Sequence, residues 1–230
     1  LVRKNRGKNR LLPRFLLFVE RGGDVAPELL LMARKQNISK HSNYLLFDMR
    51  YTDPKADIKR DSPRYLGKLR LVLSKKGNVF VLHSKDRKGD TKQGLELCAI
   101  QYKTPSLMKK LRSHVGPRTA TIVFPNPKPD GTLEESDCTG LAERLEEGRL
   151  DGVFSLVTKR PSVINGVYQL NFGGRVKVAS IKNAQLVRPE DTDNVIVQFG
   201  RVSGDSFILD FKGPLSASQA LAIAVSQFLV

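Results

Sequence analysis

The sequence predicts a mainly β protein, an antiparallel barrel or sandwich with few helices, and two observations carry that expectation. Short apolar or alternating runs bounded by Gly, Pro, Asn or Asp recur along almost the whole chain, about a dozen in all. The last segment, Pro214 to Val230, has no charged residue. A helix uncharged all round belongs inside something, and a single such helix among a dozen strands sits in the middle of them.

In chain order the strand candidates are Phe15 to Val19, Leu29 to Met32, Tyr44 to Phe47, Gly67 to Leu73, Val79 to Leu82, Leu95 to Tyr102 and Thr119 to Phe124. They continue with Gly152 to Val157, Val167 to Phe172, Val176 to Ile181, Val195 to Phe199 and Ser206 to Phe211. Lys75-Lys76-Gly77-Asn78 fits a hairpin turn in which Gly or Asn takes the left-handed position. The charged segment 84–94 reads as an inserted loop, not as a domain boundary. One or two short surface helices are expected. Ser136 to Leu150 carries Leu141, Ala142 and Leu145 on one stripe and ends at Gly152, with Glu134, Glu135 and Asp137 in its first turn; Pro105 to His114 carries Leu107, Met108 and Leu111.

With 230 residues, 40% of them apolar and 27% charged, the chain is expected to be a soluble globular protein, not a disordered tail or a fibrous repeat. Its formal charge is +16, which attracts polyanions such as nucleic acid or an anionic membrane face. The charge is unevenly placed: residues 1–120 hold 28 Lys and Arg against 10 Asp and Glu, and residues 121–230 hold 11 against 13. Arg3, Lys4, Arg6, Lys8 and Arg10 precede the first acid, Glu20, but the excess persists without them. A localised anion-binding face follows.

Cys98 and Cys138 show no C-x-x-C spacing, which argues against zinc and for a reduced compartment, with the cytosol as default and a single disulfide as the lesser reading. The first ten residues are basic with no apolar run behind them, so no signal peptide is visible, and the opening at Leu1 suggests a part of something longer. Asn37-Ile38-Ser39 matches the glycosylation pattern by composition alone. The uncharged C-terminal segment is too rich in Ser and Gln for a membrane span, so no transmembrane segment is expected.

Catalytic chemistry has no foothold. His41, His83 and His114 lie far apart, and no nucleotide-binding glycine loop, metalloprotease, calcium-loop or nucleophile-elbow motif occurs. Gly173-Gly174 is best explained as a turn or bulge at a strand end. No catalytic residue, metal site or cofactor is therefore expected. What stands out is Tyr65-Leu66-Gly67-Lys68-Leu69-Arg70-Leu71. On a strand, residues i and i+2 share a face, so Lys68 and Arg70 project together, about 7 Å apart, while Leu69 and Leu71 face the core. That spacing suits two phosphates on one small ring, Arg offering a fork of donors and Lys a point charge. Cations on a wet strand face are commonplace, so the pair by itself marks no site; Arg34, Lys35 and Lys40 nearby add positive potential.

Several segments together resemble the tubby family in its C-terminal domain. The most specific is Asn171-Phe172-Gly173-Gly174-Arg175-Val176-Lys177-Val178-Ala179-Ser180-Ile181-Lys182-Asn183-Ala184-Gln185, similar to the family's N-F-x-G-R-V-x-x-A-S-V-K-N-F-Q. It continues into Val197-Gln198-Phe199-Gly200-Arg201-Val202, Phe207-Ile208-Leu209-Asp210-Phe211 and the C-terminal segment from Pro214 to Phe228. Upstream, Ser42-Asn43-Tyr44-Leu45, Tyr65 to Arg70 and Gly116-Pro117-Arg118 fall in the family's order.

The resemblance implies one domain over residues 12–230 behind a basic tail of residues 1–11. It also implies a closed barrel of roughly twelve antiparallel strands threaded by the hydrophobic C-terminal helix. It implies binding of phosphatidylinositol 4,5-bisphosphate in the inner leaflet, with Lys68, Arg70 and Asn43 on the phosphates and Arg34, Lys35, Lys40 and Lys92 as a supporting basic face. Lys92 is the cation nearest to Gly94, where the family places a further basic contact, and Ala184 stands where the family has Phe. Family members are pictured as adaptors that leave the plasma membrane when phospholipase C destroys the lipid, some moving receptors into cilia or acting in the nucleus. The competing expectation is a DNA-binding or transcription-regulating domain that uses the same basic face. Protein cargo or a transport complex is not named by these residues.

Overall fold

A computed structural model describes residues 1–4, 12–36, 43–74, 77–85, 94–103, 118–133 and 139–230. Fourteen strands and two helices are described. The strands are β1 (Val2–Lys4), β2 (Arg14–Val19), β3 (Glu28–Lys35), β4 (Asn43–Asp48), β5 (Tyr65–Ser74), β6 (Gly77–Ser84), β7 (Glu96–Tyr102) and β8 (Ala120–Pro125). After helix α1 (Leu141–Glu147) come β9 (Val153–Thr158), β10 (Ser162–Ile164), β11 (Val167–Gln169), β12 (Ala184–Arg188), β13 (Asp191–Ser203) and β14 (Ser206–Phe211), then helix α2 (Ala217–Ser226).

Twelve strands close a barrel in the order β1-β14-β13-β12-β9-β8-β7-β6-β5-β4-β3-β2, every paired neighbour antiparallel, and β10 and β11 form a separate two-stranded sheet. Antiparallel pairing makes strand starts and finishes alternate around the rim. One end of the barrel therefore collects the finishes of β1, β3, β5, β7, β9 and β13 and the starts of β2, β4, β6, β8, β12 and β14.

The lumen is filled by α2, as the uncharged segment predicts. Ala220, Leu221, Ala222, Ile223, Ala224 and Val225 are all buried, among them Phe15, Leu69, Phe80, Ile122, Phe124 and Phe199 from the wall. Its few polar groups are satisfied: Ser216 and Gln219 form a capping box, the Gln219 amide donates to the Leu97 carbonyl at 2.8 Å, and the Ser226 and Tyr102 hydroxyls meet at 2.8 Å. Phe228, just beyond the helix, closes the exit against Phe15 and Phe207, with ring centroids 4.9 and 5.0 Å away.

Two covers lie on the outer wall. The stretch 49–64 lays Met49 and Ile58 over Met32, Leu45, Phe47 and Tyr65, and α1 lays Leu141 and Leu145 over Val79, Val81, Ala99 and Val123. The outer face is thus apolar at both flanks and cationic between them.

Several expectations change. Residues 1–11 are not all tail, because Val2–Lys4 is the strand that joins β14 to β2; residues 5–11 lie outside the described set. Val167 to Phe172 shortens to Val167–Gln169, and Val176 to Ile181 is no strand but touches the barrel through one bridge, Val178 with Arg201. β1, β10 and β12 were not anticipated. The helix expected over 136–150 spans Leu141–Glu147 and stops at Gly148, in the left-handed conformation, not at Gly152. The helix expected over 105–114, along with His41, His114 and Cys138, falls outside the described residues.

Candidate functional site

β5 shows the expected alternation. Leu69 is fully buried in the lumen and Leu71 packs against the core, while Lys68 and Arg70 are half-buried on the outer wall. The register then supplies what the strand cannot supply alone. Arg70 stands directly across from Asn43 on β4 and from Val81 on β6, and Lys68 stands across from Leu45 and His83. Directly opposed residues share a face with Cα atoms about 4.5–5.5 Å apart, so Asn43, Arg70 and Lys68 form a compact triangle of donors. The structure brings these three together.

Two transverse rows define the surroundings. One runs Asn43, Arg70, Val81, Ala99, Val123, and its apolar part lies beneath α1. The other runs Arg14, Arg34, Leu45, Lys68, His83, Glu96. Leu45 is capped by the stretch 49–64, and the Glu96 carboxylate accepts the Ala142 N–H at 3.1 Å, serving the N-terminus of α1. Lys68 and Arg70 therefore occupy an uncovered strip between two padded flanks.

Gly67 fixes this geometry. Any Cβ there would collide with the His83 carbonyl oxygen on the neighbouring strand, so β5 and β6 approach closely at the residue next to Lys68.

The supporting cations divide. Arg34 lies in the Lys68 row, but its guanidinium bonds the Asp57 carboxylate and donates to the Ile58 carbonyl at 2.9 Å, with its centre 5.6 Å from the Phe47 ring. Arg34 also holds the Asp57 carboxyl below its ordinary range. Its task is to pin the stretch 49–64. Lys35 stands opposite Tyr44, whose side chain faces the lumen, so it sits at the barrel rim and not on the wall with Lys68. Lys40 and Lys92 lie outside the described residues, and Gly94 packs so closely on Ser84 that no side chain fits there. Two members of the row escaped sequence reasoning: Arg14, whose tie to Arg34 needs the β2–β3 register, and His83, which is buried directly beside Lys68.

The chemistry of such a strip is anion recognition: a guanidinium fork, an ammonium point charge and a neutral amide converge on one face. Among the described residues no group of three His, Cys, Asp or Glu is placed to hold a metal ion, and no helix is long and apolar enough to cross a membrane.

Comparison with known proteins agrees with this architecture. The sequence profile of the Tub family matches residues 1–229. Protein king tubby 2 of Culex quinquefasciatus is 36% identical over 238 residues, covering 99% of this chain and 53% of the mosquito protein. Tubby-related protein 1 of Mus musculus is 34% identical over 244 residues, and Tubby-related protein 2 of Homo sapiens 35% over 243, each covering 99% of this chain and 42% and 44% of the relative. The chain thus spans about half the length of the curated relatives it matches. A closed twelve-stranded barrel threaded by its last helix, together with a match over nearly every residue, makes this chain a member of the Tub family.

Proposed function

We propose that this chain is a phosphoinositide-binding module that tethers a tubby-like adaptor to the cytoplasmic face of the plasma membrane through phosphatidylinositol 4,5-bisphosphate. The observation that carries the reading is the register: Arg70 stands across from Asn43, with Lys68 two residues along the same face, on the strip between the two covers. A ring bearing two adjacent phosphates spans about the 7 Å between alternate side chains, and each further cation near an anionic leaflet adds on the order of 1 kcal/mol. A wall site of this kind needs no cofactor, and its lipid would be released when phospholipase C cleaves the headgroup. Receptor or ciliary traffic, and a nuclear role once released, follow from the same tether.

The test is co-sedimentation with liposomes across phosphoinositide isomers. Lys68→Ala with Arg70→Ala is expected to abolish binding to bisphosphate liposomes and to leave Tm nearly unchanged, since both side chains are half-exposed. Equal binding by parent and double variant would sink the reading. Tight duplex-DNA binding that soluble inositol phosphate fails to displace would favour a nucleic-acid partner for the same face.

A further inference from the structure

The hairpin of β10 and β11 interrupts the barrel's sequential order and takes no part in the strip described above. Its turn, Asn165-Gly166, places both residues in the left-handed region, φ 51° and 76°, as a two-residue turn of matching twist requires. A solvated hairpin is expected to be polar on at least one face. Here Val163, Ile164, Val167 and Tyr168 are 62, 50, 58 and 51% exposed. Val163 pairs with Tyr168 and Ile164 with Val167, so apolar side chains stand on both faces. Beside the hairpin, Pro161, Tyr168, Leu170, Phe172, Ala179 and Ile181, with the polar Ser180 and Asn183, line a groove of about 450 Å³, and Ile181 is 64% exposed.

Cations border this apolar patch. Lys182 follows Ile181, and its ammonium lies 5.6 Å from the centre of the Phe228 ring at the exit of α2. The Arg3 guanidinium sits 5.1 Å from the same ring, and Arg118 donates to the Gln227 carbonyl at 2.6 Å. Burial, then the charges of Arg118, Arg3 and Arg201, hold the Lys182 ammonium below the ordinary lysine range. From Lys159 to Asn183 the sequence contains no acid. The patch lies at the end of the barrel where β9 finishes, and Asn43 opens β4 at that same end.

We propose that the β10–β11 hairpin is a membrane anchor whose apolar tip, with Ile181, enters the headgroup–acyl boundary of an anionic bilayer while Lys182, Arg118 and Arg201 face lipid phosphates. An exposed apolar wedge beside like-charged cations matches a bilayer interface on both counts, since acyl chains take the wedge and anionic headgroups the charge. Tyr168 has the amphipathic ring that settles at headgroup level. The anchor rests on the membrane-tether reading for its choice of surface, and it adds a contact about four strands around the barrel from Lys68 and Arg70.

The chain contains no Trp, so Ile164→Trp gives a single reporter. Vesicles of phosphatidylcholine with phosphatidylserine, with and without the bisphosphate lipid, are expected to shift its emission to the blue, and acyl-brominated lipids to quench it. Val163→Ser with Ile164→Ser is expected to weaken vesicle binding about tenfold, which is about 1.4 kcal/mol, while binding of soluble inositol trisphosphate stays unchanged. An unshifted, unquenched indole on bound vesicles would overturn the anchor and hand the hairpin to a protein partner. Loss of trisphosphate binding in the Ser pair would also overturn it, by showing a fold effect. Failure of the bisphosphate lipid to strengthen binding, with the blue shift retained on phosphatidylserine, would reject the headgroup site and leave the anchor standing.

Discussion

Gly67 has no side chain because the backbone of β6 leaves no room for one, and the consequence reaches Lys68 through the strand. Pushing a methyl group against the His83 carbonyl oxygen must part β5 from β6 or rotate β5. Gly67→Ala is therefore expected to cost about 1–3 kcal/mol, the range for overpacking, and to lower Tm by about 2–4 °C per kcal/mol in a chain of this size. It should also weaken bisphosphate binding at temperatures where the variant is still folded, which calorimetric titration beside a thermal melt would separate from simple unfolding. At this scale the Lys68–Arg70 pair was legible, because a period of two needs only the residues of one strand. Asn43 came only through the family resemblance and not from strand period, because its place across from Arg70 depends on how β4 and β5 align after the stretch 49–64. Arg34 looked like open positive potential for a related reason: its partner Asp57 lies 23 residues downstream, and nothing local announces the pairing.

Elements divide in the same way, according to whether their partners are near or far in sequence. Hairpin-linked strands such as β5 and β6 were readable from alternation and turn residues, whereas β1 and β12 are strands of three and five residues held by neighbours on both sides. The alternation of Val176 to Ile181 is real but serves another purpose. Val176 fills the space that a side chain on Gly200 would occupy, so the segment is a strap across the outside of β13, paired with it only at the Val178–Arg201 bridge. Helix α1 shows how far an element can lean on a distant residue: Gly140 at its start offers no side-chain cap, and Glu96 on β7 supplies the carboxylate that accepts the Ala142 N–H. Glu96→Ala is expected to cost about 0.5–2 kcal/mol, the usual price of a lost N-terminal cap. Hydrogen exchange should quicken over residues 141–147 more than over the barrel strands. Equal protection of α1 in parent and variant would show that Glu96 does not hold it.

For the whole molecule, tallying charge along the chain hid an arrangement that closure of the barrel creates. The second half looks slightly acidic, yet Lys182 and Arg201 join Arg3 and Arg118 at one barrel end, while Glu143, Glu146 and Glu147 sit on the wall helix α1 and Glu190 and Asp191 where β12 turns into β13 at the other end. Closure also seals three protons in the interior. Burial pushes the Cys98 thiol and the Tyr44 phenol up to about 12 and drives the Tyr102 phenol higher than its usual range, opposed there by its bond to Ser226. Each group binds its proton more tightly folded than unfolded, where the thiol has a value of 9.0 and the phenols 10.0. Their contribution to stability is therefore complete below pH 9 and is lost as pH rises toward 12. Each group that has ionised in the unfolded chain alone steepens the fall by about 1.36 kcal/mol per pH unit. Thermal melts between neutral pH and pH 11 should show Tm declining once pH passes 9, with Cys98 resisting alkylation until the barrel opens. Replacing Cys98 with Ala removes the earliest proton to titrate and should delay the decline relative to the parent's own neutral-pH value. A Cys98 that reacts in the native state at pH 9, or a decline unchanged by Cys98→Ala, would mean that the wall opens locally around β7 without global unfolding.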